Sequence, residues 1–324
     1  MCTAIGLKNN DFYLGRTLDL EYDFGQQVVI TPRNHNIITR QYKNHDNTYA
    51  IIGMATVVDN RCLYAEACNE YGLSIAGLNF PSFAKYHKVN KSMINLTPFE
   101  IIPYILGTCK NIKEAKILIK DLNIIDESYS NTMPNSPLHW IISDESNSIV
   151  LESMEDGLKV YDNPFNILTN NPPFDYHIMN MSNYINLKPN QTTNTLTKEI
   201  DLKIMGQGYG AYGLPGDYSP VSRFVKAFFT KTNSVSDTDE DSNVSQFFHI
   251  MDSVTMPKGS VITPSNMMDI TRYTSCINTN KGIYYYTTYN NRQINQVSLH
   301  NVDLNTSELY VYPLIDKLSI NNIN

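Results

Sequence analysis

The sequence predicts an antiparallel α+β protein. Its first third carries short apolar strands joined by tight turns, its middle carries helices with clear start signals, and its last part is strand-like again. Strands in hairpin-sized steps, interrupted by helices, are typical of α+β folds and not of alternating βαβ units. The chain has 324 residues, of which 42% are hydrophobic, so it is long enough for a well-buried core. We find no linker and expect a single domain over residues 2–324.

A hairpin opens the chain. Residues 3–7 form a short apolar strand, 8–11 a polar turn, and 12–16 the returning strand. Because a tight hairpin places strand ends side by side, Arg16 and Asp19 are expected near Cys2. The same reasoning predicts further strands at 28–30, 50–54, 63–67, 73–78, 139–142, 149–152, 282–289 and 309–314.

The predicted helices begin at recognisable caps. Thr97-Pro98-Phe99-Glu100 has the form of a capping box with proline in the first turn. A second helix begins at Asn111, with apolar residues at 112, 115, 118, 119 and 122. Further helices are predicted at 176–184, 219–229 and 244–254. The acidic segment 234–243 is predicted to be a disordered loop, and the glycines at 206–210 a surface loop.

Composition excludes several classes of protein. A net charge of −7 without a basic run argues against nucleic-acid binding. Five cysteines without a Cys-x-x-Cys pair favour a reduced intracellular protein, with neither disulfides nor a zinc site. The chain shows no signal peptide and no apolar run long enough to cross a membrane. We therefore expect a cytoplasmic protein that needs no metal and no cofactor and has no membrane partner.

Cys2 is the first candidate for chemistry. Removal of Met1 would leave one residue carrying both a thiol and a free α-amine, which is a nucleophile together with its own base. The histidines at 139, 177 and 249 lie on separate predicted elements and are expected to be structural.

Short sequence blocks, in order along the chain, carry a family resemblance. After Met1-Cys2-Thr3-Ala4 they are 15–19 (GRTLD), 77–81 (GLNFP), 168–172 (LTNNP) and 213–224 (GLPGDYSPVSRF), with 273–276 (YTSC) and 282–286 (GIYYY) near the end. With these blocks the chain resembles the choloylglycine hydrolase family, which groups bile salt hydrolases with penicillin V acylases among the N-terminal nucleophile hydrolases. The resemblance implies an αββα sandwich, with two antiparallel sheets flanked by helices.

The resemblance also implies the roles of six residues. Cys2 would attack the substrate amide, Arg16 would favour its thiolate, and Asp19 would orient the α-amine. Asn79 would help to form the oxyanion hole, Asn170 would hold the amine and the oxyanion surroundings, and Arg223 would support this charge network.

Within the family, Asn79 favours a bile salt hydrolase, because penicillin V acylases tend to carry Tyr at that place. The implied partners are small conjugated bile acids with glycine or taurine amides. The alternative is a penicillin V acylase or another N-acyl amide acylase. Family position also implies a homotetramer, assembled partly through a hairpin at 184–218. The expected walls of the steroid pocket are Leu18, Tyr22, Phe24, Val58, Ala65, Tyr129 and Met133.

Two other classes remain as competitors. A catalytically inactive relative could bind a ligand, but the complete set of six residues speaks against it. A lipoprotein lipidated at Cys2 would need a signal segment before that residue, and the sequence has none.

Overall fold

A computed structural model describes residues 1–41 and 48–324. Within these ranges the strands form two large antiparallel sheets and one two-stranded parallel sheet. The strands are β1 (Cys2–Asn9), β2 (Asp11–Leu20), β3 (Gln27–Thr31), β4 (Ile51–Val58), β5 (Arg61–Asn69), β6 (Ser74–Asn79), β7 (Ile94–Leu96), β8 (Leu122–Ile124), β9 (Leu138–Ser143), β10 (Ser148–Met154), β11 (Gly157–Asp162), β12 (Ile167–Leu168), β13 (Ile270–Asn278), β14 (Ile283–Thr288), β15 (Asn295–Ser298) and β16 (Tyr310–Pro313).

The helices described are fewer and mostly short. They are α1 (Ile101–Thr108), α2 (Ile112–Ile119), α3 (Phe174–Asn180), α4 (Pro220–Asn233) and α5 (Glu240–Asp252), with 3₁₀ turns at Pro98–Glu100, Met181–Tyr184, Tyr209–Ala211 and Leu299–Asn301. Among the described residues, every helix is too short or too polar to cross a bilayer.

The two large sheets pack face to face. Sheet one has the order β12-β1-β2-β13-β14-β15, and sheet two the order β11-β10-β9-β6-β5-β4-β3-β16. Helices α4 and α5 contact sheet one through β1 and β13, while α1 contacts sheet two through β5 and β6. The expected αββα sandwich is confirmed.

Strand alternation divides the core into two layers. In β3, Val28 and Ile30 join the cluster between the sheets, whereas Val29 joins the cluster under α1 and α2. In β9, Ile141 faces the first cluster and Trp140 the second. Because successive side chains point to opposite faces, a strand buried on both sides reads as a continuous apolar run. This apolar pattern is the reason that these strands could be predicted from the sequence.

Helix caps explain where several helices begin. The Glu100 carboxylate accepts the Thr97 amide at 2.8 Å, as the predicted capping box requires. Asn111 Oδ1 accepts the Glu114 amide at 3.1 Å at the start of α2. Ser219 caps α4, which has Pro220 in its first turn. These local signals were correctly predicted from the sequence.

Two helix boundaries and one loop were predicted wrongly. Helix α2 ends at Ile119, so Leu122 lies in β8 and not on the helical stripe. Helix α5 begins at Glu240 because the Asp239 side chain caps it, accepting the Ser242 amide at 2.9 Å. The acidic segment 234–243 is therefore helical in its last four residues. Its first part contacts the β1–β2 turn, where Asn9 Nδ2 donates to Ser236 Oγ at 3.0 Å.

Several strands were not predicted, and most of them are very short. β7 and β8 have three residues each and β12 has two, so no period of two can be read from them.

Residues 184–218 form an excursion from the sandwich. The two ends of the excursion are joined where the Lys188 amide donates to Gly210 O at 3.0 Å. No strand is assigned between residues 185 and 208. The assembly role of this excursion stays a prediction.

Gly15 marks the closest backbone approach in sheet one. A Cβ atom at this position would lie 2.0 Å from the carbonyl oxygen of Ser275 on β13. We expect Gly15→Ala to lower the free energy of unfolding by about 2 kcal/mol, because a backbone atom cannot yield as a flexible side chain does. Chemical denaturation followed by circular dichroism measures this. Gly216→Ala, where a Cβ would meet no atom within 4 Å, is the matched control; equal losses in both variants would contradict the prediction.

Candidate active site

Cys2 lies at the start of β1, and the β1–β2 hairpin brings two predicted residues close to it. Cys2 pairs with Leu18 and Ala4 pairs with Arg16 in the ladder. Arg16 is therefore a diagonal neighbour of Cys2 on the same face of the sheet, within reach of a long side chain. The predicted approach of Arg16 to Cys2 is confirmed, although the turn is tighter than the predicted 8–11, because the strands pair as far as Asn9 and Asp11.

The Arg16 guanidinium is buried against the sulfur. Its Nη2 donates to Cys2 Sγ, and its Nη1 donates to Gly77 O at 2.5 Å. Its Nε donates to Thr17 O at 3.3 Å. Gly77 belongs to β6 of sheet two, so the side chain spans the interface between the sheets.

Glu66 lies behind Arg16 and was not predicted as a site residue. Its Oε2 is 3.8 Å from Arg16 Nε and accepts the Tyr273 hydroxyl at 2.8 Å. The Tyr284 hydroxyl donates to the other carboxylate oxygen. The sequence does contain a signal for Glu66, which is a charged residue flanked by alanines in a buried strand. An unpaired carboxylate is costly to bury, so such a residue indicates a buried partner.

Arg223, on the first turn of α4, reaches the same cysteine from the other side. Its Nη1 donates to Cys2 O and, at 2.6 Å, to Thr3 Oγ1. Its Nη2 donates to Asn170 Oδ1 at 2.7 Å. Cys2 is therefore held at its sulfur by one arginine and at its carbonyl by another.

Asn170 joins three parts of the site. Its Oδ1 accepts the Cys2 backbone N–H at 2.9 Å, and its Nδ2 donates to Asn79 O at 2.7 Å. Asn79 is the last residue of β6, and its own side-chain amide makes no recorded hydrogen bond within the described part of the chain. Asn79 is partly exposed, so its side-chain amide is open to a hydrogen bond with a ligand.

Asp19 lies on the opposite face of β2 from Arg16. Its Oδ1 accepts the Thr271 hydroxyl at 2.6 Å and its Oδ2 the Thr17 hydroxyl at 3.0 Å. Its backbone N–H donates to Met1 O at 2.9 Å. With Met1 in place, the terminal amine donates to Asp19 O and lies 3.1 Å from Asp269 Oδ2.

Burial and charge set the proton affinities of this cluster. Burial raises the pKa of Asp19, against the positive charges of the terminal amine and Arg223. Burial also raises the pKa of Glu66, against Arg16 and the two tyrosine hydroxyls. For Arg16, burial opposes the charge, but the electrostatic interactions with Cys2, Tyr273, Glu66 and Asp19 outweigh it and raise the pKa. The guanidinium therefore stays charged beside the sulfur.

The predicted pocket walls fall into three groups. Leu18 and Ala65 adjoin the catalytic cluster: Leu18 pairs with Cys2, and Ala65 O accepts Arg16 Nη1 at 3.4 Å. Tyr129 and Val58 are joined to each other, since the tyrosine hydroxyl donates to Val58 O at 3.1 Å. The segment 58–65 is the tip of the β4–β5 hairpin and not simply a loop.

The remaining walls are more exposed. Phe24 is half-buried against the core between the sheets. Tyr22 is 54% and Met133 36% exposed. Burial, together with the charges of Glu21 and Cys2, raises the pKa of Tyr22.

A cavity of about 180 Å³ lies beside Thr271 and Tyr273, and none of the seven walls lines it. It is smaller than the 300 Å³ or more typical of a pocket for a steroid-sized ligand. In the residues that the structure describes, no three His, Cys, Asp or Glu side chains come together as metal ligands.

Comparison with known proteins gives this cluster a family. The model of the linear amide C–N hydrolases of the choloylglycine hydrolase type matches residues 2–312. The chain belongs to the choloylglycine hydrolase family. The bile salt hydrolase/transferase of Lactiplantibacillus plantarum is 46% identical over 97% of this chain and 97% of its own. The one from Clostridium perfringens is 37% identical over the full length of both.

Solved structures of the family agree with the fold. The crystal structure of the C2A mutant of the conjugated bile acid hydrolase from Clostridium perfringens superposes with a TM-score of 0.92, at 37% identity and full coverage of both chains. The penicillin V acylase from Agrobacterium tumefaciens superposes with a TM-score of 0.75 at 17% identity, over 98% of this chain and 94% of its own, and so shares the fold.

His177, on α3 beside Asn170, makes folding stability depend on pH. Burial lowers its pKa to about 4, helped by the charges of His139 and Arg223 and opposed by its bond to Asn170 O. An unfolded histidine titrates near ~6.5, so between these values the unfolded chain binds more protons and stability falls as pH drops. We expect this group to cost about 2.5 kcal/mol between pH 7 and pH 4.5.

Urea unfolding at the two pH values tests this on wild type and His177→Gln, which keeps a donor toward Asn170 O but cannot titrate. The variant should lose about 2.5 kcal/mol less than wild type on acidification. Exposed His249→Gln is the control and should behave as wild type. Identical pH dependence in His177→Gln and wild type would contradict the assignment.

Proposed function

We propose that this protein hydrolyses the amide bond of glycine- or taurine-conjugated bile acids, with Cys2 as its N-terminal nucleophile after removal of Met1. The observation that carries the proposal is the buried Arg16 guanidinium in contact with Cys2 Sγ, in a chain that matches its family over residues 2–312. Full-length relatives named as bile salt hydrolases support the substrate class.

The acylation step uses both groups of Cys2. A fixed positive charge on Arg16 stabilises a thiolate, which attacks the amide carbonyl carbon. The Cys2 nitrogen lies 2.9 Å from Asn170 Oδ1, and this contact supports an α-amine held in one orientation. That amine takes the thiol proton and gives it to the leaving nitrogen, so the C–N bond breaks and glycine or taurine departs.

Deacylation reverses these roles. The bile acid is left as a thioester on Sγ, and water attacks it while the α-amine accepts a proton from the water. The C–S bond breaks and the free bile acid leaves. In both steps negative charge develops on the former carbonyl oxygen, and amide donors aimed at it are commonly worth about 3 kcal/mol. Among residues 1–41 and 48–324, the side-chain amide of Asn79 has no hydrogen-bond partner, which supports its role as one of these donors.

Asp19 supports the nitrogen side of the reaction. Its carboxylate is fixed by the Thr17 and Thr271 hydroxyls, and its backbone contacts the segment that precedes Cys2. A buried negative charge near an amine favours the ammonium form that delivers the proton. Arg223 adds the opposite restraint by holding Cys2 O, so that the amine cannot rotate away from Asn170.

A substrate panel tests the proposal on protein whose Met1 removal is verified by intact mass. We expect amino-acid release from glycocholate and taurocholate, with little turnover of penicillin V. Cys2→Ala should lower kcat at least about 10⁴-fold, as loss of the nucleophile does elsewhere. Cys109→Ala, a buried thiol at the end of α1, is the matched control and should stay within about twofold. Preference for penicillin V, or activity retained in Cys2→Ala, would overturn the proposal.

We also propose that residues 184–218 assemble the protein into a homotetramer. Ile185, Leu196, Met205 and Tyr212 in this excursion are each at least 80% exposed, and an exposed apolar surface of this kind is typical of an interface.

Light scattering after size exclusion should give four times the 36.9 kDa chain mass for wild type and less for Leu196→Asp/Met205→Asp. Charges placed in an apolar interface are costly to bury, which is why the assembly should weaken. Val235→Asp, an exposed apolar position outside the excursion, should leave the mass unchanged. A monomeric wild type would contradict this prediction.

A further inference from the structure

Two buried histidines hold the backbone on either side of Asn170. His139 Nε2 lies 3.0 Å from Thr169 O, and His177 Nε2 lies 3.1 Å from Asn170 O. A carbonyl oxygen only accepts, so each Nε2 carries the hydrogen. Consecutive carbonyls of the segment that presents Asn170 are thus each fixed by an imidazole.

His139 is itself held by a carboxyl group. Its Nδ1 lies 3.0 Å from Glu152 Oε1, and the two residues face each other across β9 and β10. Glu152 Oε1 also accepts the Phe174 amide at 3.1 Å. Both side chains are fully buried. The ring therefore has no freedom to turn.

The same imidazole touches the segment that presents Asn79. It stacks on the ring of Phe80, with centroids 4.3 Å apart and planes 6° apart. Phe80 follows Asn79 directly, and its amide donates to Pro137 O at 2.7 Å. One side chain thus contacts the neighbours of both asparagines, which are joined to each other through Asn170 Nδ2 and Asn79 O.

Stability alone does not account for this arrangement. A buried polar pair is weak support for stability, since apolar side chains of similar volume often serve as well. The Nε2 bond of His139 instead ends on the backbone oxygen of Thr169, beside Asn170, whose orientation decides whether a hydrogen bond reaches a developing oxyanion.

We propose that His139, held by Glu152, is a positioning residue that orients Asn79 and Asn170 toward the oxyanion formed at Cys2. This inference rests on the proposed mechanism but not on the identity of the amide that is cut. It also revises the expectation, drawn from the sequence, that His139 has a structural role only.

Two reagents separate oxyanion stabilisation from thiol reactivity. With p-nitrophenyl acetate, Sγ attacks the ester carbonyl through a tetrahedral oxyanion, leaving an acetyl thioester and releasing p-nitrophenolate. With iodoacetamide, Sγ displaces iodide from carbon, and no oxyanion forms. The ratio of the two rate constants at Cys2, with Cys2→Ala as the blank, measures oxyanion stabilisation without using a bile salt.

Two variants distinguish the contribution of the His139 hydrogen bond from that of the packing of its ring. His139→Phe keeps an aromatic ring against Phe80 but loses the bonds to Thr169 O and Glu152. His139→Gln offers an amide N–H toward Thr169 O. We expect His139→Phe to lower the rate ratio about 10- to 100-fold, less than the loss of an oxyanion donor itself, which costs about 10²- to 10³-fold. His139→Gln should restore most of the ratio.

The control is His35→Phe, which also removes a buried imidazole bonded to two backbone carbonyls. It should lower thermal stability as His139→Phe does, yet keep the wild-type ratio. The proposal is overturned if His139→Phe keeps the ratio, if both rates fall together, or if His139→Gln falls as far as His139→Phe. Should wild type release no amino acid from glycocholate, the proposed substrate fails while the ratio still decides this inference.

Discussion

A guanidinium that must stay charged out of contact with water is the constraint on which the rest of this structure depends. Taking Arg16 out of water costs several kcal/mol, and the cost is offset only where every side of the group finds an acceptor or a negative charge. Sheet one supplies Thr17 O and the Cys2 sulfur, and sheet two supplies Gly77 O and Glu66. Because these partners come from both sheets, a shift of one sheet past the other would leave the buried charge without part of its partners.

The two arginines of the site differ in the groups that compensate their positive charge. Arg16 has a carboxylate behind it and the sulfur in front, and these charges raise its pKa despite burial. Arg223 is bonded to carbonyl, hydroxyl and amide oxygens, and burial lowers its pKa. Arg16 therefore has its charge directed at the reacting atom, whereas Arg223 acts as a rigid fork that fixes Cys2 O. A nucleophile that carries its own base needs both, because its sulfur and its nitrogen must be oriented independently.

How much of the fold and the site could be predicted from the sequence depends on how far apart along the chain the interacting residues lie. The caps at Thr97, Asn111 and Ser219 are local, and the opening hairpin follows from a polar turn, so the sequence predicted them, although not the exact register of the hairpin. Helix α5 was predicted to start too late because its acidic first turn also has the composition of a loop. Glu66 was not predicted as part of the site because the hydroxyl it accepts, from Tyr273, lies 207 residues away along the chain. His139 was interpreted as structural because it is isolated along the sequence, and no side-chain pattern marks its contact with the backbone of Thr169.

Sheet two emerges as the rigid support for chemistry carried mostly by sheet one. Glu66 on β5 and Glu152 on β10 are both fully buried, and each faces a nitrogen-bearing side chain that contacts the catalytic cluster or its adjoining backbone. Neither carboxylate needs to touch a substrate to matter. Several of the predicted pocket walls, in contrast, lie at strand ends and loops, such as Val58 on the β4–β5 hairpin and Tyr129, whose hydroxyl donates to Val58 O. Changes in those segments can alter the shape offered to an acyl group while the buried pairs keep the nucleophile and the two asparagines in place. The proposed mechanism thus assigns substrate choice and bond cleavage to parts of the molecule that can vary separately.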